Sequence, residues 1–86
     1  MRWLVFFLVL GLQGLFTKPA SGENHIMFDK ANQMYRNKMF DSAAGLYQQL
    51  MNDGYRSPDL YYNAGNAFYR INKIGWAVWC YRKALA

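Results

Sequence analysis

The stretch Pro58–Ala86, PDLYYNAGNAFYRINKIGWAVWCYRKALA, decides the fold. It reads as two helices joined by a short turn at Asn72-Lys73. Moved back until Pro58 meets Asn24, it lies on Asn24–Asn52, and five identities fall in step without a gap. Asn66 falls on Asn32, Tyr69 on Tyr35, Arg70 on Arg36, Ala77 on Ala43 and Tyr81 on Tyr47. A helical unit repeated at a period of about 34 belongs to the helix–turn–helix solenoid class. The expectation is an all-α chain of two units, 24–57 and 58–86, the second ending without a capping helix.

The local signals agree with four helices. Over Glu23–Asn37, the residues Ile26, Met27, Ala31, Met34 and Tyr35 follow the spacing of an amphipathic helix. Asn37-Lys38-Met39 turns the chain. Phe40–Met51 carries a second stripe of Phe40, Ala43, Ala44, Tyr47, Leu50 and Met51. Gly45 interrupts it at a cost of about 1 kcal/mol in helix propensity, for which close approach of a neighbouring helix is the expected compensation. Gly54 suits the left-handed conformation that closes a helix. Ser57 is a good N-cap, Pro58 suits the first helical position, and Asp59 favours the positive helix end. A third helix is predicted over Pro58–Ile71 and a fourth from Ile74 onward. Loops of two or three residues within each pair force the paired helices to lie antiparallel.

The segment 1–22 is of a different kind. Arg2 precedes an apolar run from Trp3 to Phe16, broken only by Gly11, Gln13 and Gly14, and followed by Thr17-Lys18-Pro19-Ala20-Ser21-Gly22. A positive start, an apolar centre and a small-residue exit are the parts of a secretory signal. Cleavage after Gly22 or after Ala20 fits. A membrane span needs about 20 apolar residues, so the shorter run from Trp3 to Phe16 favours an export signal over an uncleaved anchor. The expectation for 1–22 is therefore a signal peptide, and for the remainder an exported domain, periplasmic or membrane-associated.

Residues 23–86 hold eight Lys or Arg and five Asp or Glu, a net charge of +3. The cations are scattered, so the footprint of a nucleic-acid binder is missing. The single cysteine, Cys80, excludes a disulfide framework within the domain. It reads as a small buried apolar residue, with an intermolecular disulfide as the alternative. His25 is the only histidine and has no ligand set at metal spacing. No nucleophile–base arrangement and no glycine-rich phosphate loop can be built. The expectations are no enzyme activity, no metal and no cofactor.

The size pattern of the two units resembles the tetratricopeptide repeat. Small residues stand at positions 8 and 20 of each unit: Ala31 and Ala43, then Gly65 and Ala77. Bulky ones stand at 17 and 24: Phe40 and Tyr47, then Ile74 and Tyr81. Unit 1 departs from the pattern at Lys30, a usually apolar position. The run Gly54–Tyr69 also resembles the exported repeat proteins of Bacteroides aerotolerance operons (the BatE type), which are linked to membrane-associated complexes and oxidative-stress tolerance. The resemblance implies a right-handed α-solenoid fragment whose first helices line a concave face that binds a peptide or protein.

On that resemblance, His25, Phe28, Asn32, Tyr35 and Arg36 of unit 1 point into the groove, as do Asp59, Tyr62, Asn66, Tyr69 and Arg70 of unit 2. Asn63 joins them, because Asn32 and Asn63 match the two asparagines of the clamp that some members use on a partner's C-terminal carboxylate. The lysine of that clamp is Phe28 here. An asparagine amide both donates to and accepts from a peptide backbone, and arginine forks onto carboxylates. The same ladder would also tie adjacent units together. Trp76 and Trp79 on the fourth helix need covering, because an exposed apolar patch marks an interface. A further repeat, a second copy or the membrane interface would each serve. The expected function is an exported protein–protein interaction scaffold. The alternatives are a membrane-anchored subunit that self-assembles through its repeats, or a truncated piece of a longer repeat protein.

Overall fold

A computed structural model describes residues 21–86. The signal or anchor expected over 1–22 lies outside the described residues except for Ser21 and Gly22, which open the first helix. Four helices follow in order: α1 (Ser21–Arg36), α2 (Phe40–Asn52), α3 (Pro58–Arg70) and α4 (Ile74–Leu85). There is no strand among the described residues. The predicted bounds hold to within two residues, the largest shift being the start of α1.

The helix ends show why the chain breaks where it does. Ser57 is extended (φ −159°, ψ 151°), and its Oγ accepts a hydrogen bond from the Leu60 amide at 3.0 Å, with Pro58 at the start of the helix. Gly54 takes φ 91° after α2, and the Tyr55 amide donates back to the Leu50 carbonyl at 3.0 Å. The two turns inside the hairpins have one geometry. Lys38 (φ 63°) and Asn72 (φ 64°) occupy equivalent positions of the two units, and both sit in the left-handed region. The next amide in each donates back across the turn, Met39 to the Met34 carbonyl and Lys73 to the Phe68 carbonyl, each at 2.8 Å. Neither α2 nor α4 has a side-chain cap, so these backbone bonds fix where both helices begin.

α1 pairs with α2 and α3 with α4. Among the described residues, α3 also packs on α2 and touches α1, whereas α4 packs on α3 alone. Eleven buried residues form one core, among them Ala31, Tyr47, Leu50, Leu60, Phe68 and Cys80. Leu50 and Leu60 are fully buried, and such burial contributes roughly 2 kcal/mol per side chain. Gly65 is where the hairpin closes most tightly, because a Cβ there would lie 2.7 Å from the Tyr81 ring. Gly45 was expected to serve a similar approach and does not. It is exposed, and a Cβ would meet nothing within 4 Å.

The outer faces of α1 and α4 differ. Leu60, Ala64 and Ala67 of α3 are buried, while their equivalents on α1, Ile26, Lys30 and Gln33, are exposed. No helix precedes α1 among the described residues, and the edge is polar except for Ile26. The odd Lys30 is thus a solvated edge residue. At the other end, Ala44 of α2 is buried, but its equivalent Val78 on α4 is exposed, together with Ile74 and Leu85. That edge has stayed apolar.

Candidate functional site

The predicted groove residues do not act as one set. A pocket of about 170 Å³ opens between the hairpins, lined by Asn32, Tyr35 and Arg36 of α1, Tyr47 of α2, and Asn63 and Asn66 of α3. Five of these six were singled out in the sequence. Tyr47 was assigned to the core, and most of it is there. Its hydroxyl nevertheless reaches the pocket and donates to Asn32 Oδ1 at 2.5 Å.

That bond recurs in the second unit. The Tyr81 hydroxyl donates to Asn66 Oδ1 at 2.6 Å, and both partners stand at the equivalent positions of that unit. The tyrosine and asparagine identities at one offset therefore serve one purpose: a tyrosine from the second helix fixes the amide of an asparagine on the first. Sequence reading noticed the four residues but not the pairing. The equal spacing from asparagine to tyrosine in each unit was the available signal.

Fixing the amide has a chemical result. Asn32 Oδ1 also accepts from Asn63 Nδ2 at 3.0 Å. A carbonyl oxygen offers two lone pairs, and both are used. The Asn32 NH2 group is left as the donor that faces the pocket. Asn66 is turned the same way by Tyr81, so its NH2 group is left as well. Arg36 adds a guanidinium, and no carboxylate lines the cavity. The pocket is rich in donors and positive, a suitable place for acceptors or negative charge. Burial raises the Tyr47 hydroxyl to a pKa of about 12, with Tyr35 adding to the shift. The Tyr81 hydroxyl is raised by burial and then by nearby tyrosines, Tyr62 first. Both remain protonated donors at neutral pH.

The other groove candidates lie elsewhere. Phe28 packs between Tyr47 and Tyr55, with ring centroids 6.1 and 6.0 Å away, and does not line the pocket. Arg70 stands over the Phe40 ring at 4.4 Å, and that ring meets Tyr35 edge-on at 5.0 Å. Arg70 is thus a rim residue, held one aromatic away from the cavity. Tyr62 and Tyr69 are exposed on the same side of α3, and Tyr62 leans on Tyr81. Asn63 is partly structural, because its bond to Asn32 ties α3 to α1. His25 and Asp59 are exposed and outside the cavity.

Trp76 and Trp79 meet edge-on at 6.1 Å. They are 50% and 43% exposed. Their equivalents on α2 are Ser42 and Gly45, which stay exposed although α3 packs on that helix. Ile74, Val78 and Leu85 are the exposed counterparts of Phe40, Ala44 and Met51 on α2, which are buried or half-buried. Cys80 is fully buried, and burial pushes its thiol up to about 11. An intermolecular disulfide is therefore out of reach of the folded chain. No helix among the described residues is long and apolar enough to cross a membrane. No family model matches the chain, and neither a curated protein nor a solved structure matches it.

Proposed function

We propose that the chain is an exported interaction scaffold of two tetratricopeptide-like units, which holds a peptide segment of a protein partner in the pocket between its hairpins. The observation that carries this reading is the pocket's donor bias. Tyrosine hydroxyls occupy the oxygens of two asparagine amides, which leaves their NH2 groups as donors in a cavity lined also by Arg36 and by no acid. A peptide backbone offers carbonyl acceptors in series, and an acidic side chain or terminal carboxylate would satisfy Arg36 bidentately. Tyr62, Tyr69 and the Arg70–Phe40 pair flank the cavity as surface for the peptide's side chains. Export rests on the N-terminal sequence, Arg2 followed by the apolar run to Phe16.

The test is a peptide array probed with the chain, followed by titration of the best binders. Arg36→Ala should weaken binding at least tenfold with helicity unchanged, and Arg70→Ala should weaken it less. Equal affinity in the Arg36 variant would remove the pocket from consideration. A second reading draws on the apolar edge of α4. Ile74, Val78 and Leu85 are exposed where the corresponding face of α2 carries a helix, which suits a subunit that self-assembles or a piece of a longer repeat protein. Sedimentation equilibrium separates the two readings, because self-assembly requires a mass that rises with concentration.

A further inference from the structure

The outer flank of α4 differs from its repeat partner in every residue that matters. At equivalent positions of the repeat, α2 presents Asp41, Ser42, Gly45, Gln48 and Gln49, and α4 presents Gly75, Trp76, Trp79, Arg82 and Lys83. These spacings place all five on one continuous arc of a helix. On α2 the arc is polar. On α4 it is aromatic at the centre and cationic at the C-terminal end, and the helix contains no carboxylate. The repeat does not require the change, since α3 covers neither Ser42 nor Gly45.

The tryptophans are held from beneath. Trp76 stacks on Phe68 at 5.9 Å, and Trp79 meets Tyr61 edge-on at 6.0 Å. Phe68 and Tyr61 lie on one side of α3, half a helical turn around from Asn63 and Asn66, so the flank faces away from the pocket. The Lys83 ammonium lies 5.4 Å above the Trp79 ring. Arg56 donates to the Tyr61 hydroxyl at 3.1 Å, which brings a third cation to the same end. The surface is a shallow apolar depression lined by Gly75, Trp76 and Trp79, bordered on one side by Arg56, Arg82 and Lys83.

We propose that this flank docks on an anionic lipid surface, with Trp76 and Trp79 at the headgroup level and Arg82 and Lys83 on the lipid phosphates. Charge complementarity selects the occupant. Indole rings with one apolar and one polar end settle at a bilayer interface. Cations beside them gain from the negative surface potential of anionic lipids, by about 1 kcal/mol each. Long cationic side chains reach the phosphates while their stems lie along apolar surface. The chain would then sit with its peptide pocket turned away from the membrane.

The full-length chain is tested as Trp3→Phe, so that Trp76 and Trp79 are the only indoles. Binding to vesicles of phosphatidylcholine alone is compared with binding to vesicles of phosphatidylcholine with phosphatidylglycerol as the minor component. The N-terminal run, with Arg2 and Lys18, is the same in the parent and in Arg82→Gln/Lys83→Gln, so the part of the anionic-lipid increment that separates those two chains is the measured quantity. Expected is an increment roughly thirtyfold larger in the parent than in Arg82→Gln/Lys83→Gln, the variant that restores the residues of α2, from the two cations removed, with the difference lost in high salt. Acyl chains brominated near the headgroup should quench the indole emission. Equal binding to both vesicle types, or an increment unchanged in the double variant, overturns the proposal. So does a lipid-free dimer that Trp76→Ser dissociates, which would make the flank a subunit interface. Circular dichroism of the charge variant guards against misfolding, and quenching of the parent chain reads the docking without relying on that variant.

Discussion

At the scale of single residues, the two units give matched controls. Lys38 and Asn72 hold the same left-handed turn, but a left-handed conformation costs an ordinary side chain about 1–2 kcal/mol and asparagine less. Lys38→Gly should therefore raise the urea midpoint, with a gain of up to about 1 kcal/mol, and Asn72→Gly should gain less. A larger effect at Asn72 would contradict this account of the turns. The glycines make a second pair. Gly45→Ala adds a methyl group to open space and should stabilise by about 0.5–1 kcal/mol. Gly65→Ala pushes its Cβ against a Tyr81 ring that is tethered to Asn66, and overpacking of this kind costs about 1–3 kcal/mol. The tyrosine hydroxyls also set a pH dependence. Both pKa values are raised in the folded state, so the protonated forms stabilise the fold below pH 10, and that contribution is lost as pH rises above 10, for Tyr47 toward about 12. Cys80 behaves likewise from about pH 9 to 11. Thermal stability should be level through neutral pH and fall above pH 9, and Cys80→Ala should delay the onset of the fall.

At the scale of elements, the sequence carried most of the fold, because its signals were local. Ser57, Pro58 and Gly54 announce their own conformations, and the apolar spacing announces each helix. The Ser57 cap makes a direct test: Ser57→Ala should cost about 1 kcal/mol and speed hydrogen exchange at the Leu60 amide before it does so elsewhere in α3. What could not be read was whatever depends on which surface faces which. Gly45 looked like a contact point and is bare, because helix propensity says nothing about neighbours. Phe28 was placed in the groove by position and is instead held between Tyr47 and Tyr55. Arg70 matched Arg36 in sequence, yet only Arg36 lines the pocket, because Phe40 stands under the other guanidinium. The second unit has Ile74 at the place of Phe40. Repetition set the residue types, and the cross-unit neighbours set what each residue does.

At the scale of the whole molecule, the described residues join the two hairpins through a helix pair and a side-chain hydrogen bond. α3 packs on α2, and Asn63 donates to Asn32. The α2–α3 packing includes Arg70 over the Phe40 ring, and α1 makes a lighter contact with α3. For two hairpins joined in this way, stability is the sum of the hairpins and the interface between them, and the interface decides whether they unfold together. Leu60 identifies what that interface contributes. It is fully buried, whereas its equivalent Ile26, on the first described helix, is 69% exposed. The difference is the cover that α2 provides. Leu60→Ala should therefore cost about 2–5 kcal/mol, drawn mainly from the joint between the units. The expected result is a change of mechanism as well as of stability. In the Trp3→Phe background, indole fluorescence reports α4 alone, while far-ultraviolet circular dichroism reports all four helices. The two transitions should coincide in the parent chain and separate in Leu60→Ala, with α3 and α4 melting at a different urea concentration from α1 and α2. Coincident transitions in the variant would mean that coupling resides in the Asn63–Asn32 bond instead. Asn63→Ala, which leaves the apolar contact in place, would then be the substitution that separates them.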